Sequence, residues 1–102
     1  MDTRSKILDI AMNLNRVGNW AADGYTEKQK RIVQFLKQTS DHISSIDKDK
    51  FSQPFKKTYL QFLKEFETLE KEGTEKPADE LFWAEKMMTW GNILTHRSKL
   101  IT

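Results

Sequence analysis

A repeating spacing of large apolar side chains limits what this chain can fold into more than any other feature. From position 55 onward these side chains step by four, three, four and three residues, at Phe55, Tyr59, Phe62, Phe66 and Leu69. An α-helix turns once every 3.6 residues, so this spacing places all five on one face. Three other segments show similar helical spacing, and no segment alternates as a strand would. The sequence therefore predicts an all-α fold.

Glycine and proline divide the chain into four predicted helices. Among the 102 residues there are only four glycines and two prolines, and most of them lie where helices are expected to begin or end. The predicted helices cover about residues 3–22, 27–46, 53–72 and 78–100. Gly24 is expected to end the first helix in a left-handed conformation. Ser52 is expected to cap the third.

Four segments of about 20 residues with short connections predict an antiparallel up-down-up-down four-helix bundle. We expect a single domain over residues 1–102. The alternative is a helical hairpin that completes its core only by pairing with a second copy.

The absence of cysteine narrows the functional classes. Without cysteine the chain has no disulfide framework, no thiolate metal site and no cysteine nucleophile. No apolar run is long enough to span a bilayer, and the N-terminus does not resemble a signal peptide. The prediction is a small, soluble, cytoplasmic protein with no membrane partner.

Charge is distributed unevenly although the formal net charge is only +2. Residues 65–85 hold eight acids against two lysines, whereas residues 1–64 hold twelve bases against seven acids. Alternating helix directions would gather bases at one end, called here the basic pole: Arg4, Lys6, Lys48, Lys50, Lys56, Lys57, Arg97 and Lys99. Lys56, Lys57, Arg97 and Lys99 are the candidate phosphate contacts for nucleic acid. The alternative is a solvated surface whose charges segregate without a ligand.

The fourth predicted helix is apolar around too much of its circumference. Phe82, Ile93 and Leu100 form a second stripe, well away from the seam of Trp83, Trp90 and Leu94. This stripe either packs against both neighbouring helices or forms an exposed surface for a protein partner, which could be a second copy. In the second case Lys86 and Arg97 would form its rim.

Polar residues on the first and fourth predicted helices form a third candidate site. In an antiparallel pairing of these helices, residues whose numbers sum to about 104 lie at the same height. Asn13, Arg16 and Trp20 on one helix could then face Asn92 and His96 on the other, in a groove for a small anionic ligand. The alternative is a set of ordinary surface amides and a hydrogen-bonded histidine.

The sequence carries no motif for catalysis, cofactor binding or metal binding. It has no glycine-rich phosphate loop and no dinucleotide fingerprint. The two histidines, His42 and His96, are not spaced as metal ligands. The leading hypothesis is therefore a non-catalytic protein-interaction module without cofactor or metal. Nucleic-acid binding is the first alternative, and a ligand-binding or catalytic groove is the second.

Overall fold

The computed structural model describes residues 2–101, and these residues contain helices but no strand. Helix α1 spans Thr3–Ser44, α2 spans Phe55–Glu75 and α3 spans Glu80–Arg97. Short 3-10 turns at Lys48–Lys50 and Ser98–Leu100 follow α1 and α3. The predicted all-α class is confirmed.

Helix α1 covers the region in which two separate helices were predicted. Its one non-helical residue is Gly24, with φ 164° and ψ 90°, where the helix is kinked. This backbone is extended rather than left-handed, so the predicted cap conformation of Gly24 is wrong. The prediction of four separate helices is not confirmed in that form, because the structure has three, of which the first is long and kinked.

Contacts between distant residues show the course of α1 on either side of Gly24. Lys6 Nζ lies 3.5 Å from the carbonyl oxygen of Ser45, and Asn13 donates to Gln38 across 3.3 Å. Nearer the kink, the rings of Trp20 and Phe35 meet edge to face with centroids 4.9 Å apart. The segments before and after Gly24 therefore lie alongside each other in opposite directions.

The ends of α2 and α3 differ from the predicted ones by a few residues. Helix α2 begins at Phe55 after Pro54 without a side-chain cap, so the predicted capping by Ser52 is wrong. Helix α3 begins after Asp79, whose carboxylate accepts a hydrogen bond from the Phe82 amide at 3.0 Å. It ends at Arg97, before the predicted end at position 100.

The predicted periodic residues form the core. All five apolar residues that define the spacing on α2 are buried, and the seam on α3 is buried with them. A chain of neighbouring aromatic rings runs along this core: Phe51, Phe55, Tyr59, Phe62 and Phe66, with Trp90 packed against Phe62.

Helices α1 and α3 are in close contact, with glycines between them. A Cβ on Gly18 would lie 2.9 Å from the carbonyl oxygen of Ala84, and one on Gly91 would lie 2.9 Å from that of Ala11. The numbers in each pair sum to 102, close to the expected 104, so α3 runs antiparallel to the first segment of α1.

Candidate functional site

A groove of about 750 Å³ runs between α2 and α3. Nine residues of α3 between Phe82 and Arg97 line it, and α2 contributes Thr58, Gln61 and Glu65. Among the predicted partner-binding residues, Phe82, Lys86, Ile93 and Arg97 lie in this groove.

The unequal spacing of the helices explains why the groove lies here. Glycines bring α3 close to α1, as described above. On its other side α3 is held away from α2 by large rings, with the centroids of Phe62 and Trp90 5.5 Å apart. The distance between two packed helices depends on the side chains between them, so the aromatic pair leaves an open furrow above it. Trp90 is only 7% exposed and forms part of its floor.

Phe82 stands at one end of the groove and is 54% exposed. Its neighbour Trp83 is 2% exposed and donates its indole N–H to the carbonyl oxygen of Leu69 at 3.0 Å. Successive residues on a helix point about 100° apart, so burying the indole turns the phenyl ring toward solvent. Lys86, one turn further along α3, places its ammonium 4.4 Å from the centroid of the Phe82 ring.

The other end of the groove is basic. Ile93 is half-buried against the core, while His96 and Arg97 are exposed beside it. Leu100, the remaining predicted partner contact, is half-buried in the 3-10 turn after α3. It lies not in the groove itself but in a small adjoining cavity with His96 and Arg97. The predicted apolar stripe is therefore continuous with the groove at this end.

Charged side chains line both ends of the groove. Glu65, Glu85 and Lys86 lie in the half nearer Phe82, and Arg97 lies at the opposite end. Within residues 2–101, neither Glu85 nor Arg97 takes part in an ion pair. Both side chains are exposed, so both remain available to an external partner.

The five residues predicted to form a ligand groove between the first and last helices do not come together. Asn13 is 5% exposed and is turned toward the second segment of α1, where it donates to Gln38. Asn92 and His96 instead line the α2–α3 groove. The antiparallel pairing of the two helices is as expected, but rotation of each helix about its axis turns these residues to different sides.

The other two members of that predicted groove lie on α1. Trp20 is half-buried against Phe35, and the guanidinium carbon of Arg31 lies 5.1 Å from the centroid of its ring. Arg16 is exposed. Trp20 is thus stabilised by contacts within α1 rather than presented to a ligand.

Of the residues predicted to contact phosphate, some are exposed and one is held in an ion pair. Lys56 forms an ion pair with Asp49, with 3.5 Å between Nζ and Oδ1. Lys57 is exposed on α2, and Lys99 lies beside Arg97 in the small cavity near Leu100. Within residues 2–101, the one strongly exposed aromatic ring is Phe82, at the opposite end of the groove from Arg97. The strongly exposed large apolar residues among those described are Met12, Leu60, Leu81 and Phe82.

Two features of the structure were not predicted from the sequence. The polar wall formed by Thr58, Gln61 and Glu65 was missed, although these positions have helical spacing beside the buried face of α2. Tyr59 was assigned to the core without regard to its hydroxyl. Within residues 2–101 that hydroxyl is buried and has no hydrogen-bond partner, and burial raises its pKa to about 12.

Neither a metal cluster nor a membrane span is found in the described part of the chain. No three or more histidine, aspartate and glutamate side chains between residues 2 and 101 are grouped so that they could hold a metal ion. No helix in this range combines the length and apolar character needed to cross a membrane. Comparison with protein-family models, with curated proteins and with solved structures finds no match to this chain.

Proposed function

We propose that this chain is a non-catalytic protein-interaction module that binds its partner in the α2–α3 groove. The observation that carries the proposal is the exposure of Phe82 at the end of a groove whose floor includes buried Trp90. Exposed aromatic side chains beside a concave apolar surface are typical anchors of protein interfaces.

The energetics of Phe82 support this proposal. An aromatic side chain has roughly 200 Å² of surface, and Phe82 leaves about half of its own exposed. Covering that area with a partner would contribute about 2–3 kcal/mol from the hydrophobic effect. Hydrogen bonds to the polar walls would fix the orientation of the bound partner and would add little net affinity.

The scaffold that we propose for the groove is a four-helix bundle in which the two segments of α1 act as separate helices. The support comes from the contacts of Lys6 with Ser45, Asn13 with Gln38 and Trp20 with Phe35, which join the two segments along their length. The extents of the molecule, 39 × 21 × 18 Å, agree with four helices side by side.

Nucleic-acid binding at the basic pole is the second candidate. The exposed side chains of Lys57, Arg97 and Lys99 favour it. The ion pair between Lys56 and Asp49 argues against it, since that lysine would have to give up a partner. Binding of this kind would weaken steeply as salt is added, in proportion to the number of phosphates neutralised. Retardation of neither RNA nor DNA at low salt would eliminate this candidate.

The interaction surface can be tested by photo-crosslinking in the cells that make the protein. A photoreactive phenylalanine analogue would replace Phe82 in one variant and Leu60 in a second. Both side chains are exposed, but Leu60 does not line the groove. We expect discrete cross-linked protein products from position 82 and not from position 60. Products of equal yield from both positions, or none from position 82, would contradict the proposal.

A further inference from the structure

We propose that α1 straightens at Gly24 and exchanges its first segment, residues 3–23, with that of a second copy of this chain. In the exchanged dimer each first segment packs on α3 and on the second α1 segment of the other chain. This inference does not depend on the proposed function, because the groove is lined by α2 and α3, which stay together in one chain.

The turn between the two segments of α1 consists of a single residue. Gly24 is the one residue between Thr3 and Ser44 with non-helical backbone angles, φ 164° and ψ 90°. Rotation about these two bonds is therefore enough to convert the folded-back pair of segments into one straight helix. A straight α1 of 42 residues would be about 63 Å long, at 1.5 Å per residue. It would exceed the 39 Å length of the molecule, so its first segment would leave the core.

Among the connections between helical segments, the one at Gly24 is the most easily made helical. The two prolines of the chain lie in the other connections, Pro54 between α1 and α2 and Pro77 between α2 and α3. A proline ring inside a helix removes a backbone hydrogen bond and clashes with the preceding turn. The connection at Gly24 has no proline, and it follows Ala21 and Ala22, which belong to the residue type with the highest helix propensity.

The surface that a first segment leaves fits the same segment of a second copy, because that segment already packs on it in the monomer. Asn13 donates to Gln38, and the rings of Trp20 and Phe35 meet edge to face. Gly18 lies against the backbone of α3. All of these contacts form again in the exchanged dimer, now between two chains. Monomer and dimer therefore bury nearly the same core and differ chiefly at the hinge.

Exchange brings the hinge ends of the two copies together. The Tyr25 hydroxyl donates to the carbonyl oxygen of Gly73, so the hinge lies at the end of the molecule where α2 stops and α3 begins. At this end, residues 23–28 and 72–80 hold six acids against two lysines. Like charges of the two copies then approach each other. We expect added salt to favour exchange, because it screens charges over about 10 Å at 0.1 M.

The test uses two proteins with one cysteine each, since the chain has none of its own. Asn13→Cys and Gln38→Cys would be refolded together at about 1 mM, where a second chain competes with closure within one chain, and treated with a short bifunctional maleimide. In monomers the two cysteines belong to separate molecules, whereas in the exchanged dimer they are neighbours. We expect the mixture to yield a covalent dimer, with a higher yield at high salt.

Each single-cysteine protein refolded alone is the matched control. In the exchanged dimer the two copies of position 13 lie on opposite sides of the hinges, more than about 30 Å apart, and the same holds for position 38. Neither protein alone should therefore yield a covalent dimer. Equal yields from the mixture and from the controls would indicate random collision and overturn the inference. A mixture that gives no covalent dimer at any salt concentration would also overturn it.

Substitutions at the hinge test the role of Gly24, with the dimer fraction measured by sedimentation velocity after refolding at the same concentration. Gly24→Ala favours the straight helix about fivefold in each chain, so the equilibrium constant for exchange should rise about thirtyfold. Two glycines inserted after Gly24 should lower it, because a longer flexible turn closes more easily within one chain.

Asn19→Ala is the control for Gly24→Ala. It raises helix propensity at an exposed position that is helical in both forms, so it should leave the exchange equilibrium unchanged. Circular dichroism of every variant checks that the helices are retained. An equilibrium that Gly24→Ala does not shift, or that Asn19→Ala shifts equally, would overturn the assignment of Gly24 as the hinge.

Discussion

The ammonium group of Lys86 lies over the ring of Phe82, 4.4 Å from its centroid. A cation above an aromatic face at this distance is stabilised by the ring quadrupole. The contact is local to α3 and uses one face of the ring, while more than half of the side chain stays exposed. Phe82 is thus positioned within the groove without being part of the core.

The adjacent aromatics Phe82 and Trp83 should respond very differently to truncation. We expect Phe82→Ala to lower the free energy of unfolding by less than about 1 kcal/mol, because little packing and one exposed cation–π contact are lost. Trp83→Ala should cost about 3–5 kcal/mol, since it removes a buried ring and its hydrogen bond to Leu69. Urea denaturation of both variants checks this. Equal losses would show that Phe82 belongs to the core.

The close contact between α1 and α3 should not tolerate a methyl group. A Cβ on Gly18 would meet the Ala84 carbonyl oxygen at 2.9 Å, and this backbone atom cannot move away alone. We expect Gly18→Ala to destabilise the protein by about 1–3 kcal/mol, despite the higher helix propensity of alanine. Thermal unfolding gives the measurement.

Gly24→Ala is the matched control for Gly18→Ala. The nearest atoms to a Cβ at Gly24 belong to the Glu27 carboxyl group, at 3.9 Å. Its extended φ of 164° is accessible to alanine. Its effect on the free energy of unfolding should therefore be about 0.5 kcal/mol or less, as at ordinary surface positions. A larger loss at Gly24 than at Gly18 would contradict the packing described here.

Removing the hydroxyl group should change the free energy of unfolding differently at the two buried tyrosines, Tyr59 and Tyr25. In the described part of the chain the Tyr59 hydroxyl has no partner, so Tyr59→Phe should leave stability unchanged or raise it by about 1 kcal/mol. The Tyr25 hydroxyl donates to the carbonyl oxygen of Gly73 in the core, so Tyr25→Phe should lower stability by about 1–2 kcal/mol. Chemical denaturation of both variants gives the measurement, and each variant serves as the control for the other. Destabilisation by Tyr59→Phe would reveal a partner for its hydroxyl.

The raised pKa of Tyr59 leads us to expect that the folded protein loses stability in alkaline solution. Burial raises its pKa from the ordinary value of 10.0 to about 12 in the folded protein. Between these values the unfolded chain releases a proton that the folded protein retains, so ionisation favours unfolding as the pH rises. The loss attributable to Tyr59 should reach about 2–3 kcal/mol once the pH exceeds 12, and should be absent below pH 9.

The comparison of Tyr59→Phe with the unmodified chain isolates this contribution. Desolvation by burial also raises the pKa of Tyr25, so part of the alkaline loss should remain in the variant. The difference in the free energy of unfolding between the two proteins should widen from pH 10 to pH 12. Parallel curves would show that Tyr59 ionises equally easily in both states.

The folded-back course of α1 can be tested by cross-linking. A straight helix would place positions 13 and 38 about 38 Å apart, at 1.5 Å per residue. In the structure Asn13 and Gln38 form a hydrogen bond of 3.3 Å. With cysteine at both positions, a short bifunctional maleimide should join them in the monomer at high yield. A control pair at positions 13 and 30, nearer in sequence but past the kink at a different height, should react poorly.

The sequence predicted well the properties that depend on one helix at a time. The spacing from Phe55 to Leu69 gives the buried face of α2, because local backbone geometry fixes which residues share a face. The same reasoning separated Phe82 and Ile93 from the Trp83 and Trp90 seam on α3. It did not show that Asp79 rather than an earlier residue caps this helix, since several polar residues near position 78 could do so.

Properties that depend on how two helices meet were predicted less well. The sequence placed Asn13 and Asn92 at similar heights, yet Asn13 donates to Gln38 and Asn92 lines the groove between α2 and α3. The rotation of a helix about its axis is decided by all of its neighbours together, and no single periodicity carries that information.

By itself, then, the sequence determined the helical class, the buried faces of the helices and which residues form the second apolar stripe, but not whether that stripe is exposed. These follow from the helical repeat and from the free energy of burying apolar surface. Only the tertiary structure decided that this stripe borders a groove. Glycines draw α3 toward α1, while the rings of Phe62 and Trp90 hold it away from α2, and the depth of the groove depends on this difference in packing distance.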